Sequence, residues 1–239
     1  MWIYIIFLTV LFVSGLFLGE RPYFQLRKLT PSIVLNLALG VLVTFTILMV
    51  AFIVGVLPQS VAAPMMAGLY ILLAGFFGGY AYRLYQLRSE SGTILYQNRS
   101  FWVDHAPNLL AVGLIVYGLY RTSILTDLPI TGIRFSSGMS LICFGILGWT
   151  LKVVPEFRSG GILFLDQFIK WKRALSWSWH TDDVIKVEYI ETESNREDRI
   201  KQFVTSVPPD EKKEVEMILS SKLEEFADER SEELMGGES

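Results

Sequence analysis

The sequence predicts an α-helical membrane bundle of about five transmembrane helices followed by a small α+β cytoplasmic module, an antiparallel sheet of about five strands capped by one C-terminal helix. Three observations carry this. Most of the first 154 residues fall into apolar segments of membrane-spanning length, whereas the remaining 85 turn charged and alternate as strands do. Hydrophobic residues make up 51% and charged residues only 19%, below the roughly 25% charged of a typical soluble domain, and mean hydropathy is +0.41. Charge is also sorted along the chain: residues 1–158 hold ten Lys/Arg and five Asp/Glu (+5), residues 159–239 hold eleven and nineteen (−8), together the net −3.

The acidic soluble part lacks the concentrated basic face that nucleic acid requires, so nucleic acid is excluded as a partner. Cys143 stands alone in an apolar run, and one chain can therefore build neither a disulfide nor a cysteine metal site.

A helix crossing the hydrocarbon core needs about 20 apolar residues, because each adds about 1.5 Å against a thickness of about 30 Å. The first span runs from Met1 to about Gly19 and opens with Trp2 and Tyr4, rings that settle at a bilayer surface. It lacks the basic n-region and small-residue cleavage site of a signal peptide and reads as a retained span. The second, residues 32–57, follows Pro31 and stops before Pro58. A turn over Pro58–Pro64 leads into the third, residues 65–85, whose far end carries Tyr80, Tyr82, Arg83 and Tyr85. Asp104-His105-Ala106-Pro107-Asn108 resembles a helix start, giving a fourth span over 107–125 if Arg121 snorkels outward. The fifth covers 137–154 and ends at Pro155.

Basic residues fix an orientation. The exits after spans one, three and five hold Arg21, Arg27 and Lys28, then Arg83, Arg88 and Arg99, then Lys152 and Arg158. The Pro58–Pro64 turn has none, and the loop after span four has only Arg121 and Arg134. The positive-inside rule then places the N-terminus outside and the C-terminal module in the cytoplasm. A re-entrant hairpin over residues 107–154 would reduce the spans to three without moving the C-terminus.

After Ser159-Gly160-Gly161 come five short stretches, at 162–165, 168–171, 175–179, 184–190 and 200–205. Leu175-Ser176-Trp177-Ser178-Trp179 and Ile185-Lys186-Val187-Glu188-Tyr189 alternate with period two, which puts apolar side chains on one strand face. Links at 180–183 and 193–198 are short enough for hairpins. Val207-Pro208-Pro209-Asp210 ends the strands, and Val215, Ile218, Leu219, Leu223 and Phe226 then recur at helical spacing, the apolar face of a capping helix. The tail Asp228–Ser239 has five acidic residues and too little apolar content to fold alone.

A strand meander with paired Trp residues and one terminal amphipathic helix resembles the pleckstrin-homology-like (PH-like) modules that follow transmembrane helices in uncharacterised bacterial membrane proteins. The residues that carry the resemblance are Gly161-Ile162, Phe168-Ile169-Lys170-Trp171, Trp177-Ser178-Trp179 and Val215-Glu216-Met217-Ile218-Leu219 with Lys222-Leu223. The resemblance implies a binding or scaffolding module and supplies no catalytic residue. At about 70 residues the module falls short of a full PH-like barrel, so one or two strands are either absent or supplied by the membrane-proximal segment.

Candidate chemistry is sparse. The two histidines, His105 and His180, lie on separate segments and argue against a bis-His haem; Asp104 with His105 is either an interfacial proton or metal site or a helix cap. No span has an ionisable residue near its centre, Asn36 being merely polar, which removes most support for ion-coupled transport. Gly75 and Gly79 form a small-xxx-small pair that lets two helices approach closely, with another span or a second copy as partner; Gly145 and Gly148 offer the opposite face. Lys170-Trp171-Lys172-Arg173 is the candidate contact with anionic lipid headgroups or an acidic partner, each cation near a membrane surface contributing about 1 kcal/mol. In the competing reading Trp171 sits in the sheet core and the cations are simply solvated.

No cofactor, metal or catalytic residue is expected. The leading expectation is a non-enzymatic accessory or scaffold subunit of a bacterial inner-membrane assembly, with membrane lipids and complex partners or self-association around it. An anionic-lipid-sensing regulator is the alternative, and a membrane-embedded lipid-modifying enzyme the second.

Overall fold

The computed structural model describes residues 2–22, 24–26, 29–98, 101–192 and 198–236, and the chain divides into two compact units. Arg27, Lys28, Arg99, the side chain of Asp104 and most of the 193–198 link lie outside the described residues.

The first unit, residues 1–86 and 101–152, is helical. Its helices are α1 (Trp2–Glu20), α2 (Pro31–Ile53), α3 (Gln59–Glu90, whose last turn belongs to the second unit), α4 (Phe101–Arg121) and α5 (Gly132–Thr150). Among the described residues four helices, α1, α2, α3 and α5, are long and apolar enough to cross a membrane.

Several boundaries differ from the sequence reading. The turn before α3 is only residues 54–58, where Gly55 takes a φ of +81°, and Pro64 lies inside the helix. There a proline forfeits a single early hydrogen bond, to the Ser60 carbonyl. At its other end α3 continues to Glu90 through Ala, Leu, Gln and Arg, good helix formers, until Gly92 at φ +81°. The Asp104-to-Asn108 segment is not a helix start: α4 begins at Phe101 and Pro107 is internal. Span five shifts towards the N-terminus because the Thr131 hydroxyl accepts from the Arg134 amide and caps α5 at Gly132.

The second unit, residues 87–100 and 153–239, is built from two antiparallel sheets. One has the order β1 (Ile94–Gln97), β2 (Glu156–Arg158), β3 (Gly161–Phe164), β4 (Gln167–Lys170). The other has the order β5 (Ala174–Trp179), β6 (Val184–Thr192), β7 (Asp198–Ser206), with β6 and β7 in unbroken register from Val184↔Ser206 to Thr192↔Asp198. A 3-10 turn, Trp171–Arg173, separates β4 from β5 and divides what the sequence suggested was one sheet. All five anticipated stretches are strands, and β1 and β2 are added to them.

Phe157, Ile162 and Ile169 of the first sheet, Ile185, Val187 and Phe203 of the second, and Val215 and Leu219 of helix α6 (Lys212–Glu225) share one core around Trp171. This is the burial that the period-two and helical patterns required. The acidic tail does not remain structureless: residues 227–236 form helix α7, with Asp228 and Glu229 favourably placed in its first turn. Arg230 secures the junction, its Nη2 donating to the Leu223 carbonyl at 2.7 Å.

Candidate functional site

Lys170, Trp171, Lys172 and Arg173 are adjacent in sequence but do not form one surface patch. Trp171 is wholly buried, its Nε1 donates to the Arg158 carbonyl at 2.8 Å, and its ring stacks 6.5 Å from that of Phe157. It is therefore a core residue, as the competing reading had it, and its buried N–H is satisfied by the Arg158 carbonyl. Lys170 is exposed, whereas Lys172 and Arg173 are half-buried and each is engaged in an interaction within the chain.

Beneath this turn lies a buried ion pair. Glu156 and Arg158, on one face of β2, are 1% and 8% exposed, with Arg158 Nη2 2.6 Å and Nε 2.8 Å from Glu156 Oε2. Arg158 Nη1 also donates to the carbonyls of Arg88, at 3.0 Å, and Gly92, at 2.8 Å, so the guanidinium satisfies the open end of α3. Arg88 adds a second cation 3.9 Å from Glu156 Oε1. Thr93 completes the joint, its amide donating to Ser159 Oγ at 3.1 Å.

The outer face of β5–β6–β7 is more open. Glu188 accepts from Ser176 at 3.1 Å and Gln202 at 3.2 Å and pairs with Lys186 at 3.1 Å, and these contacts, Lys186 first, hold its carboxyl below the usual carboxylate range. Around this polar centre Ile200 and Val204 are 67% and 51% exposed on β7. Among the described residues no strand pairs with the far side of β7, which leaves part of its backbone hydrogen-bonding capacity open.

In the helical unit, Gly75 and Gly79 pack on α1. A Cβ on Gly75 would collide with the Phe12 carbonyl and stand 3.0 Å from the Gly15 Cα, and one on Gly79 would collide with the Leu16 carbonyl. Gly19 meets Phe76 and Tyr80 in the same sense, so the two helices run parallel with glycines on both sides. Gly145 and Gly148 instead face α4, at Ala111 and Ile115, and not the Gly75 pair. Gly118 against Gly138 makes α4 and α5 an antiparallel hairpin. A cavity of about 570 Å³ opens between α1, α3 and α5, with walls that are almost all carbon.

His105 is exposed on α4, and its α4 neighbour Asp104 is described by backbone alone. Among the described residues no three His, Cys, Asp or Glu side chains gather as a metal site.

Residues 153–224 match the family model of a domain of unknown function, DUF5673. No curated protein and no solved structure matches the chain. The DUF5673 segment starts just before β2 and ends within α6, so it contains Glu156, Arg158, Trp171 and β7 but neither β1 nor α7. Two features escaped the sequence reading. The Gly15-to-Gly19 spacing on the first span was legible as a match for Gly75 and Gly79; the burial of Glu156 and Arg158 was not, since charged residues ahead of a glycine pair read as a solvated loop.

Proposed function

We propose that the chain is a non-enzymatic accessory or scaffold subunit of a bacterial inner-membrane assembly, in which the helical unit anchors a PH-like module that binds a partner protein. The PH-like reading is supported by a four-stranded and a three-stranded antiparallel sheet sharing one core with a helix that follows the strands. The observation that carries the binding role is the β7 edge. It combines open backbone groups with exposed Ile200 and Val204 beside a charged centre at Lys186 and Glu188, a surface suited to strand addition by an extended segment of a partner. The basic residues after α1 and α5, and those in the last turns of α3 and just after it, support a cytoplasmic module with the N-terminus outside.

The test is purification of the full-length protein from its native membrane in mild detergent, with mass spectrometry of what remains attached. Stoichiometric partner proteins are expected, and Ile200→Asp with Val204→Asp should release them without lowering the yield of the chain. A chain that purifies alone, or a variant that keeps its partners, overturns the proposal.

The alternative of an anionic-lipid sensor draws on exposed Lys170. Under it, binding of the full-length protein to anionic headgroups falls in Lys170→Ala.

A further inference from the structure

The cavity between α1, α3 and α5 is almost wholly apolar, with two of its few polar side chains at one end. Tyr4, near the start of α1, and Thr131, the cap of α5, line it at one end, and the Tyr4 hydroxyl packs on the backbone of Gly132. Two turns further along the helices its walls are Leu8, Phe12, Ile71 and Met139. Beyond them the three helices close on each other: a Cβ on Gly78 of α3 would stand 3.5 Å from the Leu16 side chain of α1 and 3.7 Å from Cys143 Sγ of α5.

These dimensions select an occupant. From Tyr4 to Phe12 the groove follows eight residues, or about 12 Å at about 1.5 Å per residue. One leaflet of the hydrocarbon core is about 15 Å deep, half of about 30 Å. A partner's spanning helix would need a seam through the whole core, and this one stops at the Leu16–Cys143 closure. The volume of about 570 Å³ falls in the range of about 300–1,000 Å³ that holds small molecules. Arg134, half-buried in the first turn of α5, donates from Nη1 to the Pro129 carbonyl at 3.4 Å and so holds a positive charge close in sequence to the Thr131 end of the groove.

We infer that this groove is a phospholipid site, taking one acyl chain from the leaflet on the side where α1 and α5 begin, with the headgroup at the Tyr4 and Thr131 end. The inference rests on the membrane-spanning reading of these helices. It gives the helical unit a specific ligand in addition to its role as anchor.

The full-length protein is reconstituted in phospholipid vesicles whose lipid carries a photoactivatable diazirine on the acyl chain, irradiated, and the labelled peptides mapped by mass spectrometry. Label is expected on residues 4–12 and 130–139 several-fold above that on the exposed surface of α2. Thr9→Phe, which fills the groove from an exposed wall position, should remove the excess, while Leu42→Phe on the exposed surface of α2 should leave it. Even labelling of groove and α2, or an excess that survives Thr9→Phe, overturns the site while leaving the spans intact. Absence of label from every helix overturns the membrane-spanning reading and the site with it.

Discussion

Trp171 Nε1 donates to the carbonyl of Arg158 at 2.8 Å, and through this bond the 3-10 turn that joins the two sheets is held against β2. The ring also fills the centre of the core, stacked near Phe157 and packed with Ile185 and Leu219. Truncation removes both contributions. Trp171→Ala should cost about 3–5 kcal/mol, as large buried aromatics do. Trp171→Phe keeps most of the apolar surface and removes only the indole donor to the Arg158 carbonyl, for about 1 kcal/mol. Denaturant unfolding of the full-length protein in detergent, with hydrogen exchange at the β2 and β5 amides, checks the order of the two variants; equal losses would assign the whole effect to volume.

The Glu156–Arg158 pair gives a second prediction. Removing one member of a buried pair strands the other charge, so Glu156→Gln should destabilise the module by about 3–5 kcal/mol. Replacing both with apolar residues is often close to neutral elsewhere, but here it should not be. Arg158 also satisfies the carbonyls of Arg88 and Gly92, and each orphaned acceptor costs about 1–3 kcal/mol. A double-mutant cycle on unfolding free energy measures this, and a stable Glu156→Leu/Arg158→Met variant would rule out the capping role.

Much of the module was legible because its signals are local. Alternation in 175–179 and 184–190 marked β5 and β6, and the recurrence of Val215, Leu219 and Leu223 marked α6. β1 was not legible: Ile94–Gln97 is four residues long, lies before α4, and becomes a strand only by pairing with β2 from the far side of a helical hairpin. The basic cluster is divided in the structure for a related reason. Lys170 ends β4 facing outward and Trp171 opens a 3-10 turn facing inward, and a change of backbone geometry between neighbours has no signature in composition.

Close approach of α1 and α3 gives a third prediction. A side chain at Gly79 would strike the Leu16 carbonyl, and neither backbone can yield without separating the helices. Gly79→Ile should therefore lower the melting temperature of the detergent-solubilised protein. Gly40 on α2, where a Cβ would meet nothing within 4 Å, is the internal control, and Gly40→Ile should be close to neutral. Equal effects at the two positions would mean that α1 and α3 do not touch at their glycines.

The last prediction concerns alkaline pH. The Tyr96 hydroxyl, on β1, donates to Glu211 Oε2 at 2.5 Å, just before α6. Burial first, and then this bond and the charge of Glu211, push the phenol above its ordinary value. The folded state thus holds the proton more tightly than the unfolded chain. Stability from this source is complete below the unfolded phenol value of about 10 and is lost as pH rises past it towards the higher folded value. Tyr96→Phe should cost about 1 kcal/mol at neutral pH through the lost hydrogen bond. It should also remove part of the alkaline decline, so that wild type and variant converge as the medium becomes strongly basic. Unfolding measured at about pH 8 and about pH 11.5 tests this, and a gap that stays constant between the two would mean that Tyr96 titrates alike in the folded and unfolded chain.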